Sequence, residues 1–214
     1  MNSSTPATLG VRQAQKLKTR QALLDAALAL LEEQSLSSLG LREVTRVVGV
    51  APAAFYRHFR DMAELGVALV EESLASLHVM IRAVLADQQE AEEVIDRSVE
   101  AVADYVRRHP AHVRFVARER HGGVRAVREA IAAELARFGN EVAAALAVQE
   151  ASGGWSAEDV RMLAGLYVDH LVMTASAFVE ASAEDPAAER AIADTARRQL
   201  RLISLGRRHW PAAS

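Results

Sequence analysis

Apolar side chains recur along most of the chain at spacings of three and four, the period of a helix that buries one face. Leu23, Ala26, Ala27, Leu30 and Leu31 form the first such stripe, which predicts a helix from about Val11 or Lys18 to Gln34. Polar residues Ser35 to Gly40 connect it to a short helix, Leu41 to Val48. Gly49 should stop that helix, because glycine accepts the left-handed conformation past a helix C-terminus. A second short helix is predicted from Pro52 to Phe59, with Pro52 in the first turn, where its missing N–H would have no partner anyway. Val44, Val47 and Val48 would bury one member of the pair, and Phe55 and Phe59 the other. Asp61 and Glu64 resemble a capping box, opening a long helix to about Asp87 with Leu65, Leu69, Leu77, Ile81 and Val84 along its stripe. Further helices are expected at about Ala91 to Arg108, Ala111 to Arg120, Val124 to Glu150, Ser156 to Ala183 and Asp185 to Gly206, punctuated by His109-Pro110, Gly122-Gly123 and Gly153-Gly154. The pattern is all-α, about nine helices, with no strand and no internal repeat.

Composition agrees with that pattern. The 214 residues suffice for one sizeable core, or for a small domain joined to a larger one. Half are hydrophobic, and Ala and Leu favour helix throughout. Residues 1–10 are polar and small and read as a disordered tail, with no apolar segment of a signal peptide. No apolar run nears the ~18 residues of a membrane span. The absence of cysteine removes disulfides and thiolate chemistry and fits a reducing cytoplasm. A cytoplasmic protein with no membrane partner is expected.

Charge is divided unevenly. Residues 1–60 hold eight Lys/Arg against four Asp/Glu, while the remainder holds 17 against 24. A basic head on an acidic body points to a polyanion at the head alone. The head also contains the informative stretch, Leu41 to Phe59. Two short helices about a glycine turn have the size of a helix-turn-helix, whose second helix enters the major groove of DNA. With Phe55 and Phe59 buried, Ala53, Ala54, Tyr56, Arg57 and His58 are left outward. Alanine methyls can touch thymine methyls, and Tyr56 and His58 can donate to phosphates. An amphipathic helical hairpin with an aromatic edge would give the same spacing.

The stretch resembles the DNA-binding domain of TetR-family regulators: a short helix, Gly49-Val50, then Tyr56-Arg57-His58-Phe59. The likeness extends over Thr19 to Ala27 and over Asp61 to Leu65. It implies an N-terminal helix-turn-helix domain over residues 11–61 and a helical ligand-binding and dimerisation bundle over 62–214. It also implies a homodimer on palindromic double-stranded DNA. Carried over, Tyr56 and His58 contact phosphates, Ala53, Ala54 and Arg57 face the groove, and Arg42, Thr45, Thr19 and Arg20 lie near the backbone or groove edge. A narrower likeness is to the FabR and DesT repressors of unsaturated fatty-acid synthesis and desaturation, which sense long-chain acyl thioesters. It rests on Lys16 to Arg20, Leu41 to Thr45, Ala51 to Asp61, Glu64 to Gly66, Arg118 to Arg120 and Leu202 to Gly206. FabR has Thr-Ser where this chain has Ala53-Ala54, so two hydroxyls are absent near the groove and the operator need not be shared.

An acyl-CoA effector would need a long apolar tunnel with a basic mouth. Met80, Val84, Val102, Tyr105, Phe115, Phe138, Leu166, Tyr167 and Met173 are candidates for the tunnel, although each would serve equally as ordinary core. Arg114, Arg118, Arg120, Arg125 and Arg128 gather around Gly122-Gly123, and Arg118 and Arg120 are the candidates for the mouth, since Arg forks onto phosphates and carboxylates. His170, beside Asp169, is a further polar candidate. His109, His112 and His121 have no convincing ligand spacing for a metal, and neither a nucleophile elbow nor a Gly-rich phosphate loop is present. No metal, no cofactor and no enzyme activity are expected. Five Phe, three Tyr and two Trp argue mildly for an aliphatic effector. Another small hydrophobic molecule, acting through an efflux or catabolic gene, is the alternative. Small residues in the last two helices, among them Gly165, Ala175, Ser176, Ala177, Ala191, Ala193 and Ala196, would suit a four-helix dimer interface.

Overall fold

A computed structural model describes residues 6–85, 91–148, 154–181, 185–207 and 210. The described residues form nine helices: α1 Pro6–Leu30, α2 Leu41–Val48, α3 Pro52–Phe55, α4 Met62–Leu85, α5 Ala91–Arg108, α6 Pro110–Glu119, α7 Arg125–Ala147, α8 Ala157–Glu180 and α9 Pro186–Arg207. The helical pattern is therefore present in the order expected. The expected tail is corrected in part: residues 1–5 lie outside the description, but the chain is already helical from Pro6. Proline suits a first helical turn, and Gly10 inside a helix costs only about 1 kcal/mol relative to alanine. The expected ends at Asp87, Glu150 and Ala183 also lie outside the described residues.

The caps follow from local chemistry. Ser156 Oγ accepts from Asp159 N at 3.0 Å at the start of α8, and Asp185 accepts from Ala187 N and Ala188 N at 3.0 Å at the start of α9. At α4, Asp61 accepts from Glu64 N at 2.8 Å, while Glu64 returns to the Arg60 N–H at 2.6 Å, one residue before the expected partner.

One core runs from head to body. Leu23, Leu24, Val44, Phe55 and Phe59 pack with Leu65 and Leu69 of α4, and that cluster continues into Phe115, Ile131 and Phe138. A second cluster centres on Val99, Val106, Phe178 and Leu200, and a third on Leu146, Leu163 and Ala164. Gly66 lies where α4 crosses the head: a Cβ there would stand 2.4 Å from Leu36 Cδ2 and 2.7 Å from Val127 Cγ2, so only glycine admits this approach. α8 is long and apolar enough to cross a bilayer by length and composition, a feature the sequence reading did not foresee. In the fold it packs against α5, α6, α7 and α9.

Candidate nucleic-acid interface and the cavity behind it

The head is built around a tight turn. Gly49 takes φ +74°, and the Gly49 and Val50 N–H groups donate back to Arg46 O and Thr45 O at 3.2 and 3.0 Å, closing α2. At its other end Glu43 reaches back to the Gly40 N–H at 3.1 Å and also accepts from Gln34 at 3.2 Å. These bonds hold the Glu43 carboxyl below its usual range. After Pro52, α3 runs only to Phe55, shorter than the expected helix to Phe59. The last turn tightens, with Arg57 N and His58 N donating to carbonyls three residues back (Ala54 and Phe55) at 3.3 and 2.8 Å.

Phe55 is fully buried and meets Phe59 with ring centroids 5.5 Å apart. That anchoring turns Tyr56 outward, 63% exposed, with Ala53 and Arg57 also exposed. Arg42 is exposed on α2, and the Arg20 guanidinium lies 5.1 Å from the centre of the Phe59 ring. His58 is half-buried, and its Nδ1 has no hydrogen-bond partner among the described residues. Burial first, then the positive charges of Lys16, Arg57 and Arg20, push its pKa below the ordinary 6.5. An imidazole inside a ring of cations is a place that an anion would relieve.

Several expected contacts are not available. Thr45 is 2% exposed, and its hydroxyl is spent on Leu41 O and Arg42 O at 3.1 and 3.3 Å. Ala54 is 8% exposed and faces the core. Thr19 is half-buried, donating to Gln15 O at 3.0 Å. Val47, expected inside, is 58% exposed, because Val44 and Thr45 fill the buried side of α2.

Behind the head, α4 to α9 enclose a cavity of about 1030 Å³, near the upper end of ~300–1,000 Å³ typical of ligand pockets. Six of the twelve candidates, Met80, Val84, Val102, Tyr105, Phe138 and Tyr167, line it. The other six candidates do not. Phe115 is 2% exposed within the head-to-body core, and Leu166 and Met173 point outward from α8, 50% and 66% exposed. His170 is half-buried away from the cavity wall. Arg118 donates to Leu31 O and Gln34 O at 2.8 Å and to Glu32 O at 3.2 Å, capping the carbonyl end of α1. Arg120 is half-buried outside the wall. The remaining corner arginines are engaged within the protein, Arg114 with Glu32, Arg125 with Glu129, and Arg128 with Gly122 O.

Lining residues that sequence reasoning did not select include Ser73, Ser98, His112, Ser204 and Arg207. Leu77 and Ile81 were legible as part of the α4 stripe but not as wall. Among the described residues no group of three or more His, Cys, Asp or Glu could hold a metal ion.

One contact ties α6 to the head, and another ties α4 to α7. Beside Arg118, the buried Glu119 carboxylate accepts from the Leu36 N–H at 2.8 Å. On α4, His78 stands 2.8 Å from Glu134 and 3.4 Å from Glu141 of α7, with its ring centroid 3.9 Å from that of the cavity residue Phe138. Arg82 adds a bond to Glu141 at 2.7 Å, which holds that carboxyl below its usual range. Met162, Leu166 and Met173 on α8 and Leu202 and Leu205 on α9 leave an apolar outer face.

Residues 23–69 match the family of bacterial regulatory proteins described as the tetR family. About 85% of the chain shares its fold with solved regulators. The fatty acid degradation regulator FadR from Bacillus halodurans is 16% identical, over 85% of this chain and 93% of that one, with a TM-score of 0.69. FadR from Bacillus subtilis, solved in complex with stearoyl-CoA, is 15% identical over 84% and 96%, also at 0.69. AibR, solved with isovaleryl coenzyme A and operator DNA, is 14% identical over 84% and 96%, at 0.64.

Proposed function

We propose, for a chain whose residues 23–69 form the N-terminal domain of the tetR family of bacterial regulators, that it is a ligand-responsive transcriptional repressor. It acts in the cytoplasm as a homodimer on a palindromic double-stranded operator. Tyr56, His58 and Arg42 contact phosphates, while Ala53 and Arg57 face the groove. Phosphate contacts set orientation, and the small Ala53 surface lets the helix approach base edges closely. The outer face of α8 and α9, with Leu166, Met173 and Leu202 exposed, is where two copies meet. Their recognition helices then stand about 34 Å apart, one helical turn of DNA.

The effector occupies the cavity, and we assign it to long-chain acyl-CoA or a related thioester. The observation that carries this reading is a volume of about 1030 Å³ with mainly aliphatic walls on six helices. It is supported by two solved regulators of the same fold, one with stearoyl-CoA and one with isovaleryl coenzyme A. Fatty-acid synthesis or desaturation genes are the corresponding targets. A filled cavity presses on Leu77, Met80 and Ile81 of α4, the helix that leads to the head, and thereby alters the spacing of the two recognition helices. The effector shifts DNA affinity only by its preference between the two spacings.

One observation favours a second reading. Four of the five corner arginines, all but Arg120, are engaged by the protein itself, and Arg120 lies outside the cavity wall, so no phosphate mouth stands ready there. A small hydrophobic effector without a nucleotide, governing an efflux or catabolic gene, would need none. Native mass spectrometry with stearoyl-CoA and oleoyl-CoA, with and without a palindromic promoter fragment, separates the two. Stoichiometric acyl-CoA binding that changes DNA occupancy is the expected result. DNA binding without acyl-CoA binding would favour the second reading.

A further inference from the structure

The cavity wall is not uniformly apolar. Ser73 on α4 is 1% exposed and lines it, and its Oγ has no hydrogen-bond partner among the described residues. The neighbouring contacts fix where this orphan lies. The Ser73 carbonyl accepts the Tyr105 hydroxyl, and the Tyr105 ring lies 5.0 Å from His109, which in turn meets His112 at 5.7 Å. His112 also lines the cavity, and its Nε2 stands 4.0 Å from Glu72, the residue before Ser73. Ser73 and His112 thus both line the cavity beside Glu72, and Ser73 is the first lining residue along α4 from the head. From Ser73 the wall continues along α4 to Leu85, roughly 18 Å of helix at ~1.5 Å per residue.

A buried hydroxyl without a partner is a defect unless something completes it. The charges nearby say what. Glu72 accepts from Gln21, Asp25 lies close by, and both carboxylates act on His112. Burial nevertheless dominates and lowers the His112 pKa below 6.5, so near pH 7 its ring is neutral and has one N–H to donate. An anionic oxygen would face these two carboxylates, whereas a carbonyl or hydroxyl oxygen would meet donors.

We propose that Ser73 and His112 form a polar seat for an uncharged oxygen of the effector, a thioester or ester carbonyl or a hydroxyl, with its alkyl chain laid along α4 toward Leu85. The seat selects neutral oxygen amphiphiles over both hydrocarbons and free carboxylates. This rests on the reading of the cavity as the effector site.

The test is displacement of the neutral dye N-phenyl-1-naphthylamine from the full-length protein by methyl dodecanoate, dodecan-1-ol, dodecane and dodecanoate at pH 7.5. Methyl dodecanoate and dodecan-1-ol should displace it about five- to tenfold more effectively than dodecane or dodecanoate, the scale of one or two hydrogen bonds. Ser73→Ala should erase most of that preference while keeping or raising the melting temperature, since it removes an unsatisfied group. His112→Phe should erase the remainder. Equal displacement by all four compounds, or an unchanged preference in both variants, would overturn the seat and leave the cavity reading standing. A dye that does not bind at all would overturn both.

Discussion

The head and the body of this protein are packed in opposite ways. In the head, Leu23, Leu24, Val44 and Phe55 have no exposure at all, and the groups left outside are Tyr56, Arg57 and Arg42. In the body, α4 to α9 hold their side chains around a space of about 1030 Å³. A close-packed interior transmits displacement with little give, whereas walls around a space can move when it fills. On the proposed function the difference separates a rigid reader from a deformable sensor, and α4 belongs to both regions, with Leu65 and Leu69 in the packed part and Leu77 and Ile81 in the wall.

The largest effect should come from attacking the packed side of this contrast. Phe55→Ala removes a fully buried ring and should cost about 3–5 kcal/mol of stability, read as a lower urea midpoint. Leu77→Ala, in the wall, removes contacts from one side only and should cost well under half as much. If Leu77→Ala proved as damaging as Phe55→Ala, the body would be as tightly packed as the head.

The joint between the two regions comes next. Glu119→Ala strips the Leu36 N–H of its acceptor inside the protein and should cost about 1–3 kcal/mol. Arg118→Ala releases three carbonyls at the end of α1. Both variants should bind the dye normally yet show a smaller effect of effector on operator affinity. Coupling as strong as in the unaltered protein would remove this joint from the route between cavity and head.

The same contrast governs what could be read from the sequence. The head was legible because its function is local: Gly49, Pro52, Phe55, Tyr56 and His58 lie within ten positions, and burial of Phe55 and Phe59 dictates which neighbours face out. It misled where one rung of the helix decides: Thr45 and Ala54 sit on the inward side, and Val47 on the outward one. The cavity was legible as helices and not as a cavity. A space is defined by side chains that fail to meet, contributed by residues as far apart as Ser73 and Arg207, and periodicity cannot tell a wall from a core. Phe115 and Leu166 carry the same signal in the sequence and end in the core and on the outer surface. Arg118 and Arg120 lie within one turn of each other near the end of α6, and neither reaches the wall.

At the DNA face a moderate effect is expected. The double variant Arg42→Ala with Tyr56→Phe should weaken operator binding by about tenfold and reduce the salt dependence of log K by about 1, since a single cationic phosphate contact contributes a slope of about 0.9. Unchanged affinity in a gel shift would take both residues out of the contact set and leave His58 and Arg57 to carry the interface.

The smallest effect is also the most specific. The His58 pKa lies below 6.5 in the free protein because of burial, Lys16, Arg57 and Arg20. Its unfolded value is the higher one, so the unfolded chain binds more protons as pH falls below 6.5, and any stability tied to neutral His58 is lost through that window. A phosphate beside the ring acts in the opposite direction and raises the pKa in the complex. Binding DNA should therefore take up a proton, and operator affinity should rise as pH falls from about 7 toward the depressed value of the free protein. His58→Gln can still donate to a phosphate but cannot titrate, so its affinity should stay flat over that range. The contrast is measured by fluorescence anisotropy of a labelled operator between pH 5.8 and 8.0. His112, whose pKa is also lowered by burial, faces the cavity, and His112→Phe without effector should keep the slope. Loss of the slope in that variant, or its persistence in His58→Gln, would move the proton from the head to the body.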